Sequence, residues 1–280
     1  MTMGVFVLKY QMARATLVSS LLLLGSFAAQ ALSFAVNEGV SYRVPLSEIR
    51  TRYEGIAADL SKLLRQPVTI EPIGDYPTLR QGLADKRWEL ALVHPAHISI
   101  AAIRDQGYSL LAVTKGFTGY KASFLVRSDS TLKSLAELKG QRLGAPDEDS
   151  ITSMMVRATL RDNGVAPKQM EITYTRYQDA VPFFVENRLT HAGATASNAL
   201  VKDWQDKGGK VLAASKAVPI KHIIASPQLS AEQVEKVRAY FLALDSSEDG
   251  RKKLEPTKWK GFEAYDQAAL LKLGVWLDVK

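Results

Sequence analysis

The chain has no cysteine and only four histidines among its 280 residues. The missing cysteine excludes disulfides, thiol chemistry and thiolate metal sites. No Gly-x-Ser-x-Gly elbow, Walker phosphate loop or His-Glu-x-x-His pair occurs, which removes the short motifs of several hydrolase and nucleotide-enzyme classes. There is no large excess of one charge: 36 Lys and Arg face 29 Asp and Glu, for a net +7. No basic run is interleaved with aromatics, so nucleic acid is not an expected partner. Low-complexity segments and close internal repeats are absent. Beyond the first thirty-one residues no stretch is long and apolar enough to span a bilayer.

What is present begins with an expected export signal. Lys9 and Arg14 give a positive flank, Leu17 to Ala28 a short apolar core, and Ala29-Gln30-Ala31 the small-x-small pattern of a cleavage site. Residues 1–31 are therefore assigned to a cleaved signal, with an uncleaved anchor as the lesser alternative. Their loss removes two positive charges and no acid, leaving a modest basic excess that favours anions. The remainder is long enough for one large domain or two smaller ones.

Along that remainder, apolar periodicity predicts strands at Ser33–Val36, Val68–Ile73, Trp88–Val93 and Ser109–Thr114. Helices are predicted at Leu46–Leu64, after Pro77, and from His94-Pro95 to about Arg104. This alternation is that of a parallel sheet flanked by helices. Gly116 and Gly119 mark a flexible link, after which a second alternation starts at Lys121–Arg127 and runs to Val211–Ala214. Lys216 to Ala225 reads as a connecting strand, and the last sixty residues as helices that return to cover the first half. The expected architecture is α/β, with two lobes and a cleft lined by the loops after the strand ends.

The central stretch runs from Leu138 to Gly164. A strand at Gln141–Ala145 is followed by a turn at Pro146–Asp149 and a helix with Ile151, Met154, Met155 and Ala158 on its buried face. Asp149 or Ser150 is the expected N-cap. The hydroxyls of Ser150, Thr152 and Ser153 then crowd a helix N-terminus, where unpaired amides and the helix dipole favour an anion. Two features oppose that reading: a serine at a helix start is commonly just a cap, and Asp147-Glu148-Asp149 would repel an anion.

Several segments taken together resemble a known family. They are Gly-Asp-Tyr at 74–76, Glu-Leu-Ala-Leu-Val-His-Pro-Ala at 89–96, Gly-Phe-Thr-Gly-Tyr-Lys at 116–121, Leu-Lys-Gly-Gln-Arg-Leu-Gly-Ala at 138–145 and Ser-Ile-Thr-Ser at 150–153. Their order and spacing resemble the phosphonate-binding (PhnD-like) periplasmic proteins, which serve ABC importers of phosphonate, phosphite and phosphate. The resemblance covers nearly all of the chain after the signal. It implies a type 2 periplasmic-binding fold that closes on a small anion and docks on an inner-membrane ABC permease, with a monomeric protein, no cofactor and no metal. It also implies lobe 1 at 32–118 and 219–280, and lobe 2 at 119–218.

By position, the resemblance implies ligand contacts from Ser150, Thr152 and Ser153, with Tyr76 and Tyr120 reaching in from the other side. His94 is a cleft-lining candidate. The chain departs from the family in three places. Its serine-rich loop lacks the usual glycine, Gln178 stands where a ligand-side histidine is common, and His191 stands where an aspartate is common. Gln178 and His191, expected at a cleft-side strand end, complete the candidate set. His97 is expected to be structural, and His222 has no evident partner in the sequence.

Two other functions remain. An exported sensor that signals to a membrane partner would share every feature above. A hydrolase with Ser150 activated by His94 or His191 ranks below both, because no spacing supports a triad.

Overall fold

The computed structural model describes residues 31–39 and 45–280. The expected export signal therefore lies outside the described residues, apart from Ala31. No described helix is long and apolar enough to cross a membrane.

In chain order the first elements are β1 (Leu32–Val36), α1 (Leu46–Leu64), β2 (Val68–Pro72), α2 (Tyr76–Ala84), β3 (Leu90–Val93), α3 (Ala96–Gln106) and β4 (Ser109–Thr114). The second run holds β5 (Ser123–Val126), β6 (Arg142–Pro146), α4 (Ile151–Asp162), β7 (Glu171–Thr175), α5 (Ala180–Glu186), β8 (Ala192–Thr195), α6 (Asn198–Asp206) and β9 (Lys210–Ala214). The return comprises β10 (His222–Ala225), α7 (Ala231–Ala243), α8 (Glu248–Leu254), β11 (Phe262–Glu263) and α9 (Gln267–Leu277).

Local chemistry sets many of these boundaries. Arg65 takes a left-handed conformation at φ 54° and ends α1 just before Gln66-Pro67. Asp75 caps α2, accepting from the Thr78 amide at 2.7 Å, with Pro77 in the first turn. Gly107, at φ 76°, ends α3. All four residues of β3 are buried, as its unbroken apolar run requires of a strand covered on both faces.

Two sheets result. The first has six strands in the order β11-β4-β10-β3-β1-β2, and the second five in the order β7-β6-β8-β5-β9. Neither is wholly parallel, which corrects the expectation of parallel halves. Strand β10 lies antiparallel between β3 and β4, and β5 lies antiparallel between β8 and β9. The expected connector at 216–225 thus ends as an interior strand of the first sheet. It arrives from the second lobe, so it enters opposite to the strands it joins.

On one face of the first sheet, α1 and α7 bury Ile49, Tyr53, Ile56, Leu60, Val237 and Phe241 against Phe34 and Leu92. On the other face a single apolar cluster runs from Leu79, Leu83 and Trp88 through Ile100 to Phe124, Leu143 and Met155 of the second run. Apolar surface removed from water contributes roughly 25 cal/mol per Å², so this shared cluster holds the lobes together as well as each to itself. Trp88 is fully buried, and a methyl added at Gly82 would land within its ring. The C-terminal α9 packs on both α3 and α4, so it straddles the lobes rather than covering the first alone.

The two chain crossings run side by side. Tyr120 and Val218 form an antiparallel bridge, in which the Val218 amide donates to the Tyr120 carbonyl at 2.9 Å. The Ser215 amide donates to the Ala122 carbonyl at 2.8 Å, and the Ser215 hydroxyl accepts from the Ala122 amide at 2.9 Å.

Candidate functional site

Strands β6, β7 and β8 run parallel, so their C-terminal ends share one edge of the second sheet. From that edge the chain turns at 147–150 into α4, at 176–179 into α5, and at 196–197 into α6. Ser150 caps α4, its hydroxyl accepting from the Ser153 amide at 3.1 Å. The first intrahelical bond is Met154 N–H to the Ser150 carbonyl at 3.1 Å, which leaves the Ile151 and Thr152 amides ahead of the ladder. The Ser153 hydroxyl is buried and donates back to the Pro146 carbonyl at 2.9 Å. Its single hydrogen is thereby committed within the protein.

Three of the candidates meet. The Tyr120 hydroxyl, arriving on the crossing, lies 3.1 Å from Thr152 Oγ1 and 3.1 Å from Gln178 Nε2. Gln178 Oε1 accepts from the Ala196 amide at 2.7 Å and from the Thr195 hydroxyl at 3.0 Å. A continuous polar chain thus joins the end of β8 to the first turn of α4.

Tyr76 is the first residue of α2 and packs, half-buried, against the shared apolar cluster. His94, at the end of β3, donates from Nδ1 to the Ile220 carbonyl at 2.9 Å. Burial and the nearby Lys221 charge push its pKa down to about 3. The ring is therefore neutral, with Nε2 left as an acceptor. Gly39, at φ 106°, lies against the His94 ring where a side chain would collide.

His191 is a correction. It precedes β8 instead of ending a strand at the cleft. Its Nδ1 accepts from the Arg142 amide at 3.1 Å, and Arg142 begins β6. Because β6 and β8 are parallel, the His191–Arg142 edge is opposite to the edge of Pro146 and Thr195. His191 therefore stands a strand's length from Thr152 and Gln178. His222, without a partner in the sequence, is fully buried between the Ser99 hydroxyl at 2.6 Å and the Pro219 carbonyl at 3.1 Å.

The acidic turn before α4 is occupied by protein partners. Asp149 is paired with Arg80 of α2, from the first lobe, at 2.6 Å. The Asp147 side chain accepts from the Asp149 amide at 2.9 Å. The Asp149 carboxyl is held down to about 2 by its contacts with His97 and Arg80. Of the two, Arg80 persists at neutral pH, because burial lowers the His97 pKa and leaves that ring neutral. The repulsion that these acids would exert on an anion is thus partly cancelled by a guanidinium from across the cleft.

Sequence reasoning missed Arg80, Thr195, Ala196 and Lys221. Lys221 is 2% exposed, with its ammonium 4.4 Å from the Phe117 ring centre and 4.0 Å from that of Trp259. Burial lowers its pKa to about 8, against the pull of Glu38. The available signal was one lysine set in the apolar run Ala217-Val218-Pro219-Ile220-Lys221. A cavity of about 490 Å³ also opens between the lobes, lined by Leu83, Ile98, Met154, Arg157 and Leu277. None of Tyr120, Thr152 and Gln178 lines it, so the polar cluster stands apart from this space. No cluster of three or more His, Cys, Asp or Glu suited to a metal occurs among the described residues.

Two α/β lobes, a double crossing and a polar helix start at the inner sheet edge are the features of a periplasmic-binding fold. Comparison with solved structures bears this out at the level of fold. XAC2383 from Xanthomonas citri bound to ATP superposes with a TM-score of 0.70 at 17% identity, over 89% of this chain and 97% of that one. PhnD1 from Prochlorococcus marinus in complex with methylphosphonate gives 0.63 at 17% identity, over 89% and 97%. The aliphatic sulphonate binding protein SsuA from Escherichia coli gives 0.54 at 15% identity, over 88% and 74%. No curated protein sequence matches the chain. Residues 40–270 match the model of the ABC transporter, phosphonate, periplasmic substrate-binding protein family, and the chain belongs to that family. The family is one of transport proteins, with a small-molecule ligand, a membrane permease as partner and a periplasmic location.

Proposed function

We propose that this protein is the periplasmic substrate-binding component of an ABC importer, and that its ligand is a small phosphorus oxyanion: a phosphonate, phosphite or phosphate. The observation that carries the reading is the start of α4, where the first-turn amides lie ahead of the ladder and the Thr152 hydroxyl is met by Tyr120 from the crossing. The Thr152 hydroxyl and those amides can donate to an anion at this helix start, and the helix dipole favours negative charge there. Ser150 retains its own hydroxyl hydrogen for the same anion. Tyr76 and His94 are the contacts we assign to lobe 1, taken as 32–118 and 219–280 against lobe 2 at 119–218. The lobes close on the ligand, which shifts their equilibrium by its preference for the closed arrangement. The signal at 1–31 is cleaved on export.

A thermal-shift screen of the mature protein tests this. It takes phosphate, phosphite, methylphosphonate, 2-aminoethylphosphonate, sulfate and carboxylates, with ATP included because XAC2383 is bound to it. A ligand of the folded state alone raises the melting temperature by mass action. The expected result is a rise with a phosphorus oxyanion and none with sulfate, lost in the Ser150→Ala, Thr152→Ala double variant. No rise with any phosphorus compound would overturn the ligand class.

A further inference from the structure

The polar chain beside α4 has a direction that can be read from its backbone anchors. The Ala196 amide can only donate, so the Gln178 atom facing it at 2.7 Å is the carbonyl oxygen. The Ser197 amide donates to Thr195 Oγ1 at 3.2 Å, and the Thr195 hydroxyl passes its own hydrogen to the same Gln178 oxygen at 3.0 Å. The Gln178 amide group must then be turned with Nε2 towards Tyr120, and Nε2 donates to the Tyr120 oxygen at 3.1 Å. Among the described residues the one remaining polar partner of Tyr120 is Thr152 Oγ1 at 3.1 Å, and by distance alone either oxygen of that pair could donate. A chain that runs one way from the Ala196 amide has Tyr120 donating to Thr152. Thr152 is 1% exposed, and among the described residues its hydroxyl meets no other polar partner. In that arrangement its own hydrogen is the one left over.

We propose that Gln178, oriented by the Ala196 amide and Thr195, is a specificity-setting positioning residue. It polarises the Gln178–Tyr120–Thr152 chain so that the Thr152 hydrogen is presented to the ligand. The inference rests on the reading of this helix start as the anion site. A hydrogen-presenting Thr152 favours an accepting oxygen, most of all a charged one, and disfavours an ammonium at the same point. An acid at position 178 would reverse the chain. A carboxylate accepts from Ala196 and from Tyr120, the tyrosine oxygen then accepts from Thr152, and the last hydrogen turns inward.

Two measurements test it. A neutron structure of the ligand-free, deuterium-exchanged protein locates the hydroxyl deuterons directly. The expected result is the Tyr120 deuteron on the line to Thr152 Oγ1, with Gln178 deuterons facing Tyr120. A Tyr120 deuteron directed at Gln178, or a Thr152 deuteron directed at Tyr120, would overturn the proposal, whatever the ligand proves to be.

The second measurement is a double-mutant cycle with methylphosphonate and phosphate as probes. Gln178→Met removes the donor without adding charge, and Thr152→Val removes the terminal hydroxyl at constant shape. Each single variant is expected to bind about tenfold more weakly, the scale of one hydrogen bond to an anion. The Gln178→Met loss should vanish in the Thr152→Val background. An equal loss in both backgrounds would show that Gln178 does not act through Thr152, and would sink the proposal. If the native chain binds neither probe, the ligand reading fails, and the neutron result still decides the polarity.

Discussion

Lys221 shows at the scale of one residue how far a side chain's chemistry depends on what surrounds it. In the sequence it is one of 36 basic residues; in the fold it is 2% exposed, its charge faced by two aromatic rings. Burial lowers its pKa from 10.5 to about 8. Between those values the folded chain binds fewer protons than the unfolded one, so stability rises with pH across that window. The penalty at neutral pH is on the order of 3 kcal/mol. Lys221→Met, which keeps the length and drops the charge, should exceed the native protein in unfolding free energy at pH 7, with the gap narrowing towards pH 10.5. Urea titrations of both proteins at the two pH values check this. A gap that does not change with pH would show that Lys221 is not depressed.

Among the elements, α4 separates two uses of the same residue types. Three hydroxyl side chains, Ser150, Thr152 and Ser153, crowd its start. Their identities suit a cap and an anion site equally, and only their directions divide them. Ser153 points back to the Pro146 carbonyl, whereas Thr152 meets Tyr120. Ser153→Ala should therefore cost about 1 kcal/mol of stability, the net value of a typical internal hydrogen bond, and leave ligand affinity within twofold. Denaturant unfolding and calorimetric titration read the two effects separately. A tenfold loss of affinity without loss of stability would return Ser153 to the ligand. Strand β8 illustrates the converse. Its position was legible, but the parallel pairing of β8 with β6 is what sends His191 to the far edge and Thr195 to the near one.

For the whole molecule, the lobes are joined by the paired crossings, a shared apolar cluster and polar links that include Arg80–Asp149. The Arg80 and Asp149 side chains are 40% and 50% exposed, so solvent screens the pair and its worth is at most about 1 kcal/mol. That is enough to bias an equilibrium between lobe arrangements about fivefold, and not enough to lock it. Arg80→Ala should raise the radius of gyration seen by small-angle scattering at low salt, with the difference shrinking as salt is added. Identical scattering profiles would exclude the pair as a link that sets the lobe arrangement.

The sequence by itself determined the alternation of strands and helices, the span of α1, a cap at Asp149 or Ser150 and the family to which the chain belongs. These are local or ordered along the chain: apolar periodicity, cap chemistry and the spacing of short segments survive in one dimension. Only the tertiary structure decided that β10 threads antiparallel into the first sheet and that Arg80 answers Asp149 across the cleft. It also decided that Gln178 joins Tyr120 and Thr152 while His191 does not. Each of these depends on strand pairing, or on partners from 17 to 69 residues apart in the chain. Side-chain direction and long-range pairing are set by the packing of the whole chain, which no local pattern records.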